Sequence, residues 1–125
     1  MLYPVKTKKI LVIEDEEAVR ENILELLAAE DFEGLAADSG WQGLELAKIH
    51  QPDLIICDIM MPEIDGYQVL SILRQNSETN SIPVIFLTAR TDFQARQQAI
   101  KLGADRFLTK PCTPTELLSA IASFF

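Results

Sequence analysis

Leu54-Ile55-Ile56-Cys57-Asp58-Ile59-Met60-Met61-Pro62 carries an apolar run into a carboxylate and then straight into a proline loop. A short apolar run bounded by turn signals reads as a strand buried on both faces. Such strands belong to parallel sheets covered by helices on either side. Asp58 then stands at the strand's C-terminal end, the edge at which open α/β sheets bind ligands.

Working outward, Lys9-Ile10-Leu11-Val12-Ile13 is a second run of this kind and ends in Glu14-Asp15-Glu16-Glu17. From Glu17 to Glu30 the period is helical, with Val19, Ile23, Leu26 and Leu27 on one face. Phe32 to Ala37 is a weaker strand, and Gly34 within it favours an edge position. Ser39 with Gln42 reads as a capping box opening a helix whose inner face holds Gly43, Leu44 and Ala47. His50-Gln51-Pro52 closes it, because proline disfavours a helical residue before it. Beyond the Asp58 strand, Asp65 and Gln68 cap a helix that turns Gly66, Val69, Leu70 and Leu73 inward. Gln75 to Ser81 is polar and reads as a loop.

Pro83-Val84-Ile85-Phe86-Leu87 is the next strand and leads to Thr88-Ala89-Arg90. Thr91 with Gln94 predicts another helix start, with Ala95, Ala99 and Leu102 inward and Gly103 as its stop. Arg106 to Thr109 is a short last strand, followed by Lys110-Pro111, where a tight cis turn is expected. Thr113-Pro114-Thr115-Glu116 opens a final helix with proline at its first position inside a capping box. Leu117, Leu118 and Ile121 form its buried stripe, and it is expected to run to Phe125. Five strands thus alternate with five helices, the pattern of an α/β domain with right-handed crossovers.

The 125 residues suffice for one domain, residues 1–125, with a core that needs no staples. A hydrophobic share of 48% with a mixed charged remainder is that of an ordinary globular protein. No apolar run approaches bilayer length, and Met1 to Lys9 is basic but lacks a signal peptide's apolar segment, so a cytoplasmic protein without membrane contact is expected. The net charge of −8 argues against direct nucleic-acid binding and suits a cation site. Cys57 and Cys112 have neither metal-ligand spacing nor a disulfide framework and are expected as reduced thiols.

The strand ends carry the chemistry. Strand 1 leads to Glu14 and Asp15, strand 3 to Asp58, strand 4 to Thr88 and strand 5 to Lys110. If those strands are neighbours, the five residues share one pocket. Taken singly, each has a plainer explanation: a carboxylate near a helix start complements its dipole, Thr88 caps a turn, and Lys110 is solvated. Their coincidence on one sheet edge is harder to explain that way. Crowded carboxylates resist joint ionisation unless a hard cation holds them. Mg²⁺ takes oxygen ligands, keeps waters and leaves room for phosphate oxygens. A lysine and a hydroxyl beside it suit a tetrahedral oxyanion, and Asp58 at the centre suits a nucleophile forming an acyl phosphate.

From Lys9 to Phe125 the chain closely resembles the receiver domain of two-component response regulators. The resemblance rests on Glu14-Asp15, the Asp58 strand with Met61-Pro62 and Asp65-Gly66, Thr88-Ala89 and Lys110-Pro111, in family order and spacing. It implies a flavodoxin-like, doubly wound five-stranded parallel sheet in the order 2-1-3-4-5 with five helices. It implies that Asp58 accepts a phosphoryl group from a sensor histidine kinase or a histidine phosphotransfer protein. Glu14, Asp15, Asp58 and the Met60 backbone carbonyl would organise Mg²⁺. Thr88 and Lys110 would hold phosphoryl oxygens, aided by the backbone N–H groups of Met60 and Ala89. Thr88 and Phe107 would form the switch. It would act on the surface of the helix from Asp92 to Leu102, strand 5 and the last helix, where an output domain, a partner protein or a second copy docks. Two departures stand out: Glu14 occupies a position that is often Asp, and its length gives it the reach to hold the metal through water. Cys112 stands where many members carry Phe.

Three other readings differ at named residues. An Asp-nucleophile phosphatase of the haloacid dehalogenase type wants a second acid two residues after the first, where this chain has Met60. A flavodoxin wants a phosphate loop after strand 1, where Glu14-Asp15-Glu16-Glu17 would repel it. A degenerate receiver, acting only as an interaction module, should have lost Asp58 or Lys110, and both are present. The domain is therefore expected to be a phosphoacceptor rather than an enzyme with a separate turnover substrate.

Overall fold

The computed structural model describes residues 7–89 and 92–125. The elements are β1 (Lys9–Ile13), α1 (Glu17–Ala29), β2 (Glu33–Ala37), α2 (Gly40–His50), β3 (Leu54–Cys57), α3 (Gly66–Gln75), β4 (Val84–Thr88), α4 (Phe93–Lys101), β5 (Arg106–Thr109) and α5 (Pro114–Ala122). All strand pairings are parallel, and the order is β2-β1-β3-β4-β5, with the weak Gly34 strand on an edge as expected.

The period-2 alternation of the strands sorts their side chains into two cores. Leu11, Ile13, Ile55, Cys57, Val84 and Phe86 face α2, α3 and α4. Ile10, Val12, Leu54, Ile56, Ile85 and Leu87 face α1 and α5. This explains the unbroken apolar runs, since neither face of β1, β3 or β4 meets water. Cys57 is a buried free thiol within the first cluster, and Cys112 is free and partly buried.

The caps largely follow the sequence, with instructive differences. Asp65 and Gln68 make the complete reciprocal box. Ser39 accepts the Gln42 N–H, but the Gln42 side chain takes the N–H of Asp38 rather than that of Ser39. Thr113 accepts the Glu116 N–H, while the Glu116 carboxylate takes the Thr113 hydroxyl, so only half of that box forms. Thr91, expected to open α4, lies outside the described residues, as do Arg90 and Met1 to Lys6. Asp92 caps α4 by accepting the Ala95 N–H. Gly103 sits at φ +97°, the left-handed conformation that stops this helix cheaply.

The last helix is shorter than expected. It ends at Ala122, and Phe124 and Phe125 bond back three residues to Ile121 and Ala122, the tightened turn by which a helix end satisfies its last carbonyls. Its buried stripe is Leu117, Ala120 and Ile121, with Leu118 only half-buried. Phe125 packs against Phe32 at 6.0 Å between ring centroids. No helix of the described residues is long and apolar enough to cross a membrane.

Candidate functional site

Parallel pairing of β1, β3, β4 and β5 puts their C-terminal ends side by side. The Asp58 N–H donates to the carbonyl of Ile13 at 3.0 Å, which fixes the end of β3 against that of β1. The Lys110 N–H donates to the carbonyl of Thr88 at 2.8 Å and does the same for β5 and β4. Lys110–Pro111 is cis, as expected. Thr88 is the last residue of β4 rather than the first beyond it, and it is fully buried.

The carboxylates of Glu14, Asp15 and Asp58 each offer an oxygen within 4.8 Å of the others. Glu14 and Asp58 are buried, whereas Asp15 is exposed. The Lys110 ammonium reaches both buried acids, donating to Glu14 Oε1 at 2.5 Å and to Asp58 Oδ2 at 3.3 Å. The Met60 N–H points to Asp58 Oδ1 at 3.4 Å, and the Glu16 N–H to Glu14 Oε2 at 3.3 Å. Met60 and Ala89 are exposed at the rim. An all-oxygen donor set of this density fits a hard divalent cation such as Mg²⁺.

Gly66 determines how the loop after Asp58 closes. Its N–H donates to the Ile59 carbonyl at 2.9 Å, and a β-carbon there would lie 2.4 Å from the Asp58 carbonyl oxygen. Only glycine allows α3 to start this close to the acid's own backbone.

Burial pushes the pKa of Glu14 up to about 7; the Lys110 hydrogen bond pulls against this, and the charge of Asp58 adds to it. Burial also disfavours the charge on Lys110, but the Glu14 bond and the two carboxylate charges outweigh it and hold its pKa above the ordinary lysine value. The Cys57 thiol is pushed well up by burial, then by Asp58, Glu14 and Asp65, so it is no nucleophile at neutral pH.

The Glu14 shift has a consequence for stability. Between the ordinary carboxylate value of 4.5 and about 7 the folded protein holds a proton that the unfolded chain has released. Stability from this group therefore falls as pH rises through that window. Urea unfolding in EDTA is expected to show Glu14→Gln gaining stability relative to wild type between those limits. A difference independent of pH would contradict the assignment.

Two contacts of the site were not legible in the sequence. Arg20 donates to the Glu14 carbonyl at 2.9 Å and holds the β1–α1 turn. Arg96 lies over the Phe107 ring at 5.0 Å from its centroid, while Phe107 itself is buried. The first depends on one side chain reaching back from α1, the second on how α4 lies across β5, and neither leaves a mark in residue spacing.

Comparison with known proteins points to one family. The family model of the response regulator receiver domain matches residues 10–122. Response regulator Rre1 of Synechocystis is 41% identical over 109 residues, covering 86% of this chain and 47% of that protein. The phosphate regulon transcriptional regulatory protein PhoB of Klebsiella pneumoniae is 35% identical over 114 residues, covering 91% and 50%. The chain therefore spans about half the length of the curated relatives it matches. Among solved structures, the Vibrio cholerae chemotaxis protein CheY4 superposes with a TM-score of 0.91 at 27% identity, covering 96% of this chain and 100% of that one. The receiver domain of a Syntrophus aciditrophicus signal transduction histidine kinase gives 0.87 at 31%, covering 94% and 89%.

Proposed function

The chain belongs to the response regulator receiver domain family, and we propose that it is a single receiver unit, residues 1–125, with Asp58 as phosphoacceptor. The observation that carries this is the grouping of Glu14, Asp15 and Asp58 within 4.8 Å, with Lys110 bonded to two of them. In the proposed reaction a carboxylate oxygen of Asp58 attacks the phosphorus of a phosphohistidine on a sensor kinase or phosphotransfer protein. The new phosphorus–oxygen bond forms as the phosphorus–nitrogen bond breaks, and the imidazole keeps the electron pair and takes up a proton. Glu14, Asp15, Asp58 and the Met60 carbonyl would hold Mg²⁺, which supplies charge neutralisation at the equatorial oxygens. Lys110 and the Thr88 hydroxyl hold phosphoryl oxygens, and the N–H groups of Met60 and Ala89 complete the cradle. Positioning and electrostatics suffice, so no separate general base is assigned.

Signal output then follows from packing. The added dianion draws Thr88 toward it, and Phe107 moves into the space released, reshaping the α4–β5–α5 surface that an output domain, a partner protein or a second copy reads. A kinase partner of this kind places the domain in the cytoplasm.

Incubation with acetyl phosphate is expected to add one phosphoryl group in Mg²⁺ and none in EDTA, read by intact-protein mass spectrometry. Beryllofluoride with Mg²⁺ is expected to shift amides at the site and across residues 92–125. Labelling that survives EDTA would sink the metal assignment, and a response confined to the pocket would sink the switch.

A further inference from the structure

The chain has one tryptophan, Trp41, and the fold leaves it at the surface. It falls in the first turn of α2, just after the Ser39 cap. Gly40, Gly43 and Ala47 are buried and form the inner face of that helix, which leaves Trp41, Glu45, Lys48 and Ile49 along the outer one. Trp41 is 53% exposed and Ile49 63%, two large apolar side chains about two turns apart. Beside Trp41, α2 and α3 enclose a groove of about 320 Å³ with Leu44, Ile72 and Leu73 as its apolar walls.

This face is held in place from below. A β-carbon at Gly40 would lie 2.5 Å from the Ile64 side chain and 2.8 Å from that of Val69, and one at Gly43 would strike Ile13. The two glycines therefore let α2 lie directly on its supports, and its outer face is presented ready-made. α2 packs on β1, β2 and α3, at the opposite edge of the sheet from β5. Its charge is balanced although the protein's is not. Net charge is −8, α1 sets Glu17, Glu21 and Glu25 against Arg20 alone, and α4 holds Arg96 and Lys101 with no acid. α2 instead sets one acid, Glu45, against one lysine, Lys48, on the same face and one turn along.

We infer that the outer face of α2 pairs with the same face of a second copy of this chain, antiparallel about a two-fold axis near the middle of the helix. In that arrangement Lys48 of each copy reaches Trp41 and Glu45 of the other. Its ammonium meets the carboxylate, and its aliphatic stem lies along the indole. Each contact is made twice, as a two-fold interface requires. Charge selects this occupant. Two α1 or two α4 helices paired in the same way would set like charges together, whereas two α2 helices set unlike ones together. Nucleic acid and an anionic membrane need a basic face, which α2 lacks.

A helix of 11 residues is about 16 Å long, so the paired area falls at the small end for specific interfaces and the dimer is expected to be weak and concentration-dependent. The α4–β5–α5 surface stays free in such a dimer, because β5 lies at the other edge of the sheet. The pairing uses no residue of the phosphoacceptor site. Asp58→Asn is therefore expected to associate as wild type does, which separates the two readings.

The test is sedimentation equilibrium of the full chain from about 10 μM to about 1 mM, with Trp41 emission followed over the same range. A reversible monomer–dimer equilibrium is expected, with emission moving to shorter wavelength as the dimer covers the indole. Trp41→Ser, Glu45→Lys and Lys48→Glu are each expected to weaken pairing at least about tenfold, because each acts twice across the axis. All three side chains are exposed, and urea unfolding of each variant checks the fold. An equimolar mixture of Glu45→Lys and Lys48→Glu is expected to associate at least as tightly as wild type, since one copy then brings only cations to the face and the other only carboxylates. A monomer throughout the range, a dimer indifferent to Trp41→Ser, a mixture no better than its components, or a dimer that leaves Trp41 emission unchanged would each overturn the proposal.

Discussion

Asp58→Asn is expected to reduce phosphoryl uptake from acetyl phosphate to background while leaving the fold intact. The amide keeps the size of the carboxylate and retains an oxygen for the Met60 N–H, so the loop after β3 loses no hydrogen-bond acceptor. What disappears is the nucleophile, because an amide oxygen does not form a stable acyl phosphate. The substitution also removes one of the two negative charges that Lys110 touches, so repulsion within the cluster falls. The variant is therefore expected to unfold in urea at or above the wild-type midpoint, a result that separates lost labelling from lost fold. Phosphorylation of the Asn variant at the wild-type rate would end the assignment of Asp58, whatever happened to the fold.

That experiment addresses roles, whereas the arrangement itself was largely legible beforehand. The apolar runs at Lys9–Ile13, Leu54–Cys57 and Val84–Thr88 could only be strands covered on both faces, and their alternation with helices left a parallel sheet. Once the strands are parallel, residues just past their ends must gather on one edge, so Glu14, Asp58 and Lys110 meet although they are far apart in sequence. Less legible were events decided by a single rotamer or a helix's tilt. Gln42 and Glu116 each choose a partner next to the expected one, because a flexible side chain finds several donors within reach. Leu118 and Ala120 exchange expected burial because the stripe of α5 depends on how that helix lies over β4 and β5. Arg96 over Phe107 belongs to the same class, a contact set by packing across a sheet rather than by any local pattern.

Gly66→Ala tests how tightly the fold and the site are built into one another. Within a helix an added methyl normally helps, alanine being favoured over glycine by about 1 kcal/mol. Here the new β-carbon would lie 2.4 Å from the Asp58 carbonyl oxygen, 2.8 Å from the Ile59 α-carbon and 3.1 Å from the Asp58 carbonyl carbon. All three are backbone atoms, so no side chain can swing aside, and either α3 or the β3–α3 turn must shift. Overpacking of this sort costs about 1–3 kcal/mol and occasionally more, enough to reverse the propensity gain. Gly34 is the control: there the nearest atom is the mobile end of Leu24 at 2.8 Å, so Gly34→Ala on the edge strand should be nearly neutral. Urea unfolding is expected to show a loss of about 2 kcal/mol for Gly66→Ala. The shift should also reach the acid, since the atom struck is Asp58's own carbonyl, and amide shifts of Asp58 and Met60 should move more than those of β1. A Gly66→Ala protein as stable as wild type, with those two amides unmoved, would show that the turn yields freely and that the backbone of Asp58 is not held by α3.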